Sequence, residues 1–132
     1  MNDEDKKHLI DTWIAIQKSG PNSELFDREF WAYEKLDNIA RSDPVRALAI
    51  LIEILQQDSS TKITDAVGAG IVEDILCWHD ASIIEEIEKH AKINEAFRNA
   101  LKVVDIWEEE CSVHDRFYAI PNVDFPQDNE DG

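Results

Sequence analysis

The sequence lacks a long apolar run and has few cysteines. No stretch approaches the ~18 apolar residues that a membrane span needs. The first ten residues, MNDEDKKHLI, lack the basic and then apolar layout of a signal peptide. These absences predict a cytoplasmic chain without membrane association, whose only two cysteines, Cys77 and Cys111, are reduced. With 132 residues, 43% of them hydrophobic, the chain suffices for one domain without disulfides.

Basic residues are scarce relative to acidic ones. The chain has 13 Lys and Arg against 29 Asp and Glu, which gives a formal net charge of −16 at pH 7. Such a field repels nucleic-acid phosphates and anionic lipid surfaces, and it accelerates association with basic proteins. The alternative interpretation is that the excess acid only keeps the protein soluble. Under both interpretations nucleic acid is excluded as a partner, and we expect a monomer when the chain is free.

Helical periodicity covers nearly everything before residue 110. The pattern predicts about six helices with short connections, which make consecutive helices antiparallel neighbours. Asp43 and Pro44 supply the N-cap and the first position of a helix that is apolar almost all round and is therefore expected at the centre. The predicted fold is an all-α domain of stacked helical hairpins, similar to a short solenoid.

The composition changes at the C-terminus. We divide the chain into a helical domain at 1–110 and an acidic, irregular extension at 111–132, whose residues 126–132 are expected to be disordered. The piece RFYAIPNVDF at 116–125 is too apolar for a free tail. We expect it to be extended and to lie across the helices or across a partner.

The aromatic side chains mostly fall at helical spacing. Phe26, Phe30 and Tyr33 share one stripe of a single predicted helix, and Trp107 closes the apolar face of the last one. We expect these rings to be mostly in the core. Trp31 is expected to be partly exposed, where an aromatic ring can anchor a partner.

The segment AVGAGIVEDILCWHD at 66–80 contains a glycine motif. A phosphate-binding loop follows a strand and usually ends in lysine, whereas GAG here lies in a helical pattern and precedes two acids. Close helix packing is the better interpretation, because Ala66 and Gly70 are four residues apart on one face, with the helix at 44–57 as the expected neighbour. Asp74 shares that face and is expected to be partly buried beside a donor. Buried carboxylates can be catalytic, but we find no acid–base pair.

No metal site or catalytic constellation is predicted. Cys77 and His79 lie about 200° apart around a helix and cannot point at one ion unless the helix has ended. Cys111 and His114 have C-x-x-H spacing, but zinc sites normally need a second such pair. No serine or cysteine has an identifiable base, although partners distant in sequence stay open. We therefore predict no metal, no cofactor and no enzymatic activity.

Several segments resemble a family of small, uncharacterised bacterial α-helical domains. They are LIDTWIAIQ at 9–17, FWAYEKLDNIARSDP at 30–44, LIEILQQD at 51–58, AGIVEDIL at 69–76 and FRNALKVVDIW at 97–107. Ile71 and Val72 replace the family's usual Pro-Leu. The resemblance implies a helical fold and a bacterial origin, with no established activity. Glu73 and Asp74 match the family's acidic pair, for which the resemblance implies capping or fixing of helix contacts.

In general character the chain also resembles the immunity proteins of toxin–immunity systems. These bind a basic toxin domain, often a nuclease, and block its active site. A toxin that acts on nucleic acid carries a positive cleft, to which an acidic inhibitor is steered. We therefore predict an immunity protein; the alternative is a non-catalytic scaffold or adaptor that holds a peptide or helix in a groove. The expected contact residues are acids and two aromatics, although a solvated surface role is the alternative for any one acid: Glu85, Glu86, Glu88, Asp105, Glu108, Glu109, Glu110, Asp115, Phe117 and Tyr118.

Overall fold

The computed structural model describes residues 1–126, and this part of the chain is all-helical, without strands. The elements are, in order, α1 (Asp3–Ser19), α2 (Glu24–Arg28), α3 (Phe30–Ser42), α4 (Pro44–Gln57), α5 (Thr61–Ala66), α6 (Glu73–His79), α7 (Ile84–Ile93), α8 (Glu95–Leu101) and α9 (His114–Tyr118). A π-helical segment, Val67–Val72, joins α5 to α6. The all-α prediction is confirmed. We predicted disorder at 126–132, and of these residues 127–132 lie outside the described range.

Local sequence signals determine several helix ends. The side chains of Asn2, Ser23, Asp43 and Asn94 accept hydrogen bonds from backbone N–H groups in the first turns of α1, α2, α4 and α8. Each cap satisfies a donor that the helix itself cannot. α1 stops at Gly20, whose φ of 94° favours a residue without a Cβ.

The core is built around α4. This helix packs against α1, α3 and α8. Its buried side chains lie on several sides, as the apolar pattern predicted: Ala47, Leu48, Ile50, Leu51, Ile54 and Leu55. Full burial of each leucine or isoleucine contributes roughly 1.5–3 kcal/mol. The expectation of a central helix is confirmed.

We predicted a close helix contact at Ala66 and Gly70, and this prediction was wrong. The close contact lies at Gly68. A Cβ added to Gly68 would lie 1.9 Å from the carbonyl oxygen of Ala100 and 2.7 Å from Cγ2 of Val103. At Gly70 an added Cβ would meet nothing within 4 Å. The neighbour is therefore the C-terminal end of α8 and not α4. Ala66 is partly buried against the core.

The π-helical segment explains why the predicted face was wrong. The N–H of Glu73 bonds to the carbonyl of Gly68, five residues back, as well as to that of Gly70. A π-turn takes one residue more than an α-turn, so residues spaced for an α-helix no longer share a face across it.

Two predicted helices are shorter than their patterns. Glu29 separates α2 from α3, and Phe30 and Tyr33 are 39% and 38% exposed instead of buried. α8 ends at Leu101, and Trp107, which we expected in the core, is 61% exposed. Trp31 is 36% exposed, which confirms its predicted partial exposure.

Residues 111–120 pack against the helices. Cys111, Val113, Phe117 and Ile120 are buried in the same core as α4. For the piece at 116–125 we predicted contact with the helices or with a partner, and in the structure it contacts the helices. Its conformation differs from the prediction, because His114–Tyr118 forms helix α9 where we expected an extended chain.

Candidate protein-binding surface

Five of the eight predicted contact acids lie on the connection between α8 and α9 or, in the case of Asp115, in the first turn of α9. Asp105, Glu108, Glu109, Glu110 and Asp115 are all exposed. Between residues 105 and 115 the chain has these five acids and no lysine or arginine. The connection therefore presents a local excess of negative charge. We call these five acids, together with Trp107, the acidic surface.

Trp107 lies within this run of acids. Its side chain is 61% exposed, whereas Val104 and Ile106 just before it are only 4% and 5% exposed. The two buried side chains hold the backbone against the core, and the indole is left outside. Exposed tryptophans surrounded by polar groups are typical anchors of protein–protein interfaces. Sequence periodicity missed this residue, because Trp107 continues the apolar spacing of α8 beyond the end of that helix.

Asp80 holds the second half of the connection in place. Its Oδ2 accepts a hydrogen bond from the Ser112 hydroxyl at 2.7 Å, and its Oδ1 accepts one from the Val113 N–H at 3.2 Å. The Ser112 hydroxyl is the main reason that the pKa of the Asp80 carboxyl lies below its ordinary value. These partners lie more than 30 residues further along the chain, so no local signal could reveal them.

Glu73 and Tyr118 hold the first half. The Glu73 carboxylate accepts the N–H of Asp105 at 2.9 Å. The Tyr118 hydroxyl accepts the N–H of Ile106 at 3.2 Å and donates to the carbonyl of Val104 at 3.2 Å. Burial raises the pKa of both Glu73 and Tyr118. The acidic surface is thus carried by backbone that is tied to the helices on both sides of Trp107.

The predicted acids of α7 are largely paired within the chain. Glu88 forms a bidentate ion pair with Arg116 of α9, with N–O distances of 2.8 and 2.7 Å. This pair lowers the pKa of Glu88 and raises that of Arg116. Glu86 lies near a lysine and a histidine of its own helix, at 3.8 and 3.7 Å. Glu85 is exposed, and its negative charge lies close enough to Arg116 to raise the pKa of that arginine.

The two aromatic residues predicted to contact a partner, Phe117 and Tyr118, instead support the fold. Phe117 is fully buried, and its ring packs against Tyr118 and Phe125. It offers no surface to a partner in this conformation, because it fills the core beneath α9. Tyr118 is half-buried and supports the acidic connection through its hydroxyl. Among the aromatics near the acidic surface, Trp107 is therefore the exposed one.

A group that could hold a metal ion lies at the edge of this surface. The ligand atoms of Glu108, His114 and Asp115 lie within 4.8 Å of one another. Nδ1 of His114 is already hydrogen-bonded to Oδ1 of Asp115 at 2.9 Å, and the Asp115 side chain is 88% exposed. Cys111, the other half of the C-x-x-H spacing, is buried, and burial raises its thiol pKa to about 11. We treat the three residues as part of the negatively charged exterior.

The chain is a small all-α domain whose core extends from α1 to Ile120. It belongs to a family of unknown function, DUF6869, whose family model matches residues 19–121. This match confirms membership in a family without an assigned activity, and it ends one residue after Ile120, the last buried residue of the core. Neither the curated proteins nor the solved structures gave a match. In the described part of the chain, no helix combines the length and the apolar character needed to cross a membrane.

Proposed function

We propose that the chain is an immunity-type protein that binds a basic toxin domain, of the nuclease kind, and covers its active site with the acidic surface. The observation that supports this most is Trp107, an exposed indole within a run of five acids that contains no lysine or arginine. The indole supplies apolar contact area, and the carboxylates attract a cationic partner over a distance. Inhibition by occlusion needs no chemistry on the inhibitor's side.

The way in which the acidic surface is held also supports binding. The connection that carries it is fixed by hydrogen bonds that the Glu73 and Asp80 carboxylates and the Tyr118 hydroxyl accept. A surface that is already ordered loses less conformational entropy when a partner docks, so more of the contact energy contributes to affinity. Such pre-ordering favours the tight binding by which an inhibitor blocks a toxin.

The net charge supports fast association. With a formal net charge of −16, the chain attracts a cationic cleft before contact is made. Because the Debye length is about 10 Å at 0.1 M salt, this attraction weakens as the ionic strength rises. Steered association can reach ~10⁸–10⁹ M⁻¹s⁻¹ at low salt.

The alternative function is that of a helical scaffold that holds a peptide in a groove. A cleft of about 370 Å³ between α7 and α9 favours it, lined among others by Lys92, Ile120 and Pro121. Binding in this cleft would leave Trp107 uninvolved and would depend little on salt. The two functions are therefore separated by the same measurements.

The test uses association kinetics with a basic toxin domain, chosen where a gene beside this chain's own encodes one. A variant with Glu108, Glu109 and Glu110 changed to glutamine should lower the association rate constant at low salt, and the rate constant of the native protein should fall steeply with salt. The Trp107→Ala variant should raise the dissociation rate constant by about 30-fold, as for a 2 kcal/mol anchor.

Two variants serve as matched controls. Trp31→Ala removes another partly exposed indole, and the change of Asp3, Glu4 and Asp5 to their amides removes the same charge from α1. Both should bind nearly as the native protein does, apart from the general loss of charge. A neutral or acidic cognate partner, a salt-independent association rate, or equal effects of Trp107→Ala and Trp31→Ala would refute the proposal.

A further inference from the structure

The cleft between α7 and α9 combines an apolar lining with cationic side chains. Its volume is about 370 Å³, and small-molecule sites typically measure ~300–1,000 Å³. Ala119, Ile120 and Pro121 supply the apolar lining, and Ile120 is buried in the core. Lys92 and Arg116 line the cleft as well. A cleft of this size suits a small molecule better than a helix or a folded partner.

Glu88, the acid that lines the cleft, is neutralised by Arg116. Nε and Nη2 of Arg116 donate to the two carboxylate oxygens of Glu88, at 2.8 and 2.7 Å. Nη1 of Arg116 has no acceptor among the residues that the structure describes. Glu85 also acts on Arg116, but it does not line the cleft. The guanidinium is therefore already ordered and can donate to a second anion at little further entropic cost.

Lys92 lacks the partner that its position on α7 predicts. Glu88 precedes it by four residues, which is the spacing and order at which a glutamate and a lysine pair on a helix. Because Glu88 binds Arg116 instead, Lys92 makes neither an ion pair nor a side-chain hydrogen bond within the described part of the chain. An unbonded charged group alone defines no site: Asp74, predicted beside a donor, is half-buried and receives no hydrogen bond from the described residues. Lys92 in addition lines a cleft.

Asn122 adds a neutral donor to the cleft. It follows Pro121 with a φ of 64°, a left-handed conformation that asparagine tolerates better than most residues. Its side chain lines the cleft, and its amide makes no hydrogen bond with residues 1–126, the range that the structure describes. The ammonium of Lys92, Nη1 of Arg116 and this amide are all donors, so the complementary ligand is an anion. Two cations and one acid line the cleft, which makes its lining net positive in an acidic chain.

We propose that the α7–α9 cleft binds a small organic carboxylate with an apolar body. The carboxylate pairs with the ammonium of Lys92 and accepts hydrogen bonds from Nη1 of Arg116 and the amide of Asn122. The hydrocarbon part of the ligand contacts Ile120 and Pro121. A dianion such as phosphate is disfavoured, because the whole chain carries a formal net charge of −16. This site is separate from the acidic surface and does not rest on the toxin binding proposed for that surface.

The test is a titration of the ¹⁵N-labelled full chain with hexanoate, followed by NMR at constant pH and ionic strength. The backbone N–H signals of Ala119, Ile120 and Asn122 report on the cleft, and hexanoate should shift them saturably. Hexanamide lacks the charge and acetate lacks the apolar body, so each should have a dissociation constant higher by about fivefold or more. Lys92→Gln should raise the dissociation constant of hexanoate by about fivefold, the upper range for one exposed ion pair.

Two further variants and one further ligand serve as controls. Lys102→Gln removes another lysine that makes no ion pair within the described residues, and it should leave hexanoate binding unchanged. Ala119→Glu places a carboxylate at the cleft and should abolish the shifts. Lys92 and Ala119 are exposed, so both variants should fold, which circular dichroism checks. The peptide acid acetyl-Gly-Gly-Leu represents a protein C-terminus and should bind no more tightly than hexanoate.

Several outcomes would overturn the proposal. They are the absence of a saturable shift of the cleft signals, equal binding of hexanoate and hexanamide, and native-like binding by Lys92→Gln. Tighter binding of the peptide acid would likewise overturn it, by assigning the cleft to a protein C-terminus. Trp107→Ala should not change the affinity for hexanoate, which separates the outcome from that of the proposed toxin binding.

Discussion

The substitution of Gly68 by alanine tests the packing of the π-helical segment against α8. The added Cβ would lie 1.9 Å from the carbonyl oxygen of Ala100, which is backbone and cannot rotate away as a side chain can. The C-terminal end of α8 must therefore move outward. Gly70→Ala is the matched control, because the same atom added two residues further meets nothing within 4 Å.

The two variants should change the free energy of unfolding in opposite directions. Overpacking of a close contact costs typically 1–3 kcal/mol and occasionally more, and a rigid backbone contact belongs at the upper end. Alanine recovers about 0.5–1 kcal/mol of backbone entropy at either position. The free energy of unfolding should fall by about 2 kcal/mol for Gly68→Ala and rise by about 0.5–1 kcal/mol for Gly70→Ala.

Urea unfolding followed by far-UV circular dichroism measures this difference. A gap of about 3 kcal/mol corresponds to unfolding midpoints about 1–2 M apart for a chain of this size. The slopes should agree, so that the midpoints report stability alone. Equal midpoints for the two variants, or a Gly68→Ala protein as stable as the native chain, would refute the close approach of α8 to Gly68.

Three further substitutions test ionic and polar contacts. Asp58 accepts a hydrogen bond from Lys18 at 2.8 Å, which contributes most to the lowering of its pKa from 3.8 to about 2. Asp58→Asn should destabilise the fold by about 1 kcal/mol at neutral pH, and the difference should vanish as the pH falls from about 4 to about 2. Asp80→Ala should cost about 1–3 kcal/mol and speed hydrogen exchange at the Val113 N–H, since it removes the acceptor. Glu88→Gln should cost about 0.5–1 kcal/mol by weakening a partly exposed ion pair.

Each of these three predictions has its own check. For Asp58→Asn, the pH dependence follows because a carboxyl with a lowered pKa stabilises the fold while ionised and loses that contribution once protonated. A stability difference that persists at pH 2 would contradict the role assigned to the Asp58 carboxylate. For Asp80, asparagine is the control, since it tolerates the positive φ of 51° and keeps one acceptor. If alanine and asparagine behave alike, the carboxylate is not the anchor. A Glu88→Gln effect that survives 1 M salt would mean that packing, not charge, holds α9 to α7.

Local chemistry made much of the fold predictable. The capping side chains of Asp43 and Asn94 bond to the backbone three residues further on, so both caps can be recognised in a short stretch of sequence. The apolar character of α4 on all sides likewise indicates a central position without knowledge of its neighbours. The charge of the acidic surface could also be read directly, because its members are close together in the chain.

Contacts between distant segments could not be predicted. The donors to Asp80 are on Ser112 and Val113, and the exposure of Trp107 depends on α8 ending early. Negative charge near a helix C-terminus opposes the helix dipole, so the acids after Leu101 favour that early end. We nevertheless extended the predicted helix to Trp107, because this residue continues the apolar spacing of α8. The choice between Gly68 and Gly70 was equally inaccessible, since it depends on where the hydrogen-bond ladder widens.

The π-helical segment Val67–Val72 makes the chain unusually tolerant of a change in length at one place. Deleting a single residue there would let the widened turn relax into an ordinary α-helix, at little local cost. Because the π-turn holds one residue more than an α-turn, the later residues of that helix would still face the same way. Trp78 would stay beside α3, and Glu73 would keep its bond to the connection with Trp107. The same deletion in a purely α-helical stretch would instead rotate every later residue by about 100° about the helix axis. Homologous chains that lack one residue in this segment should therefore share both the core and the exterior.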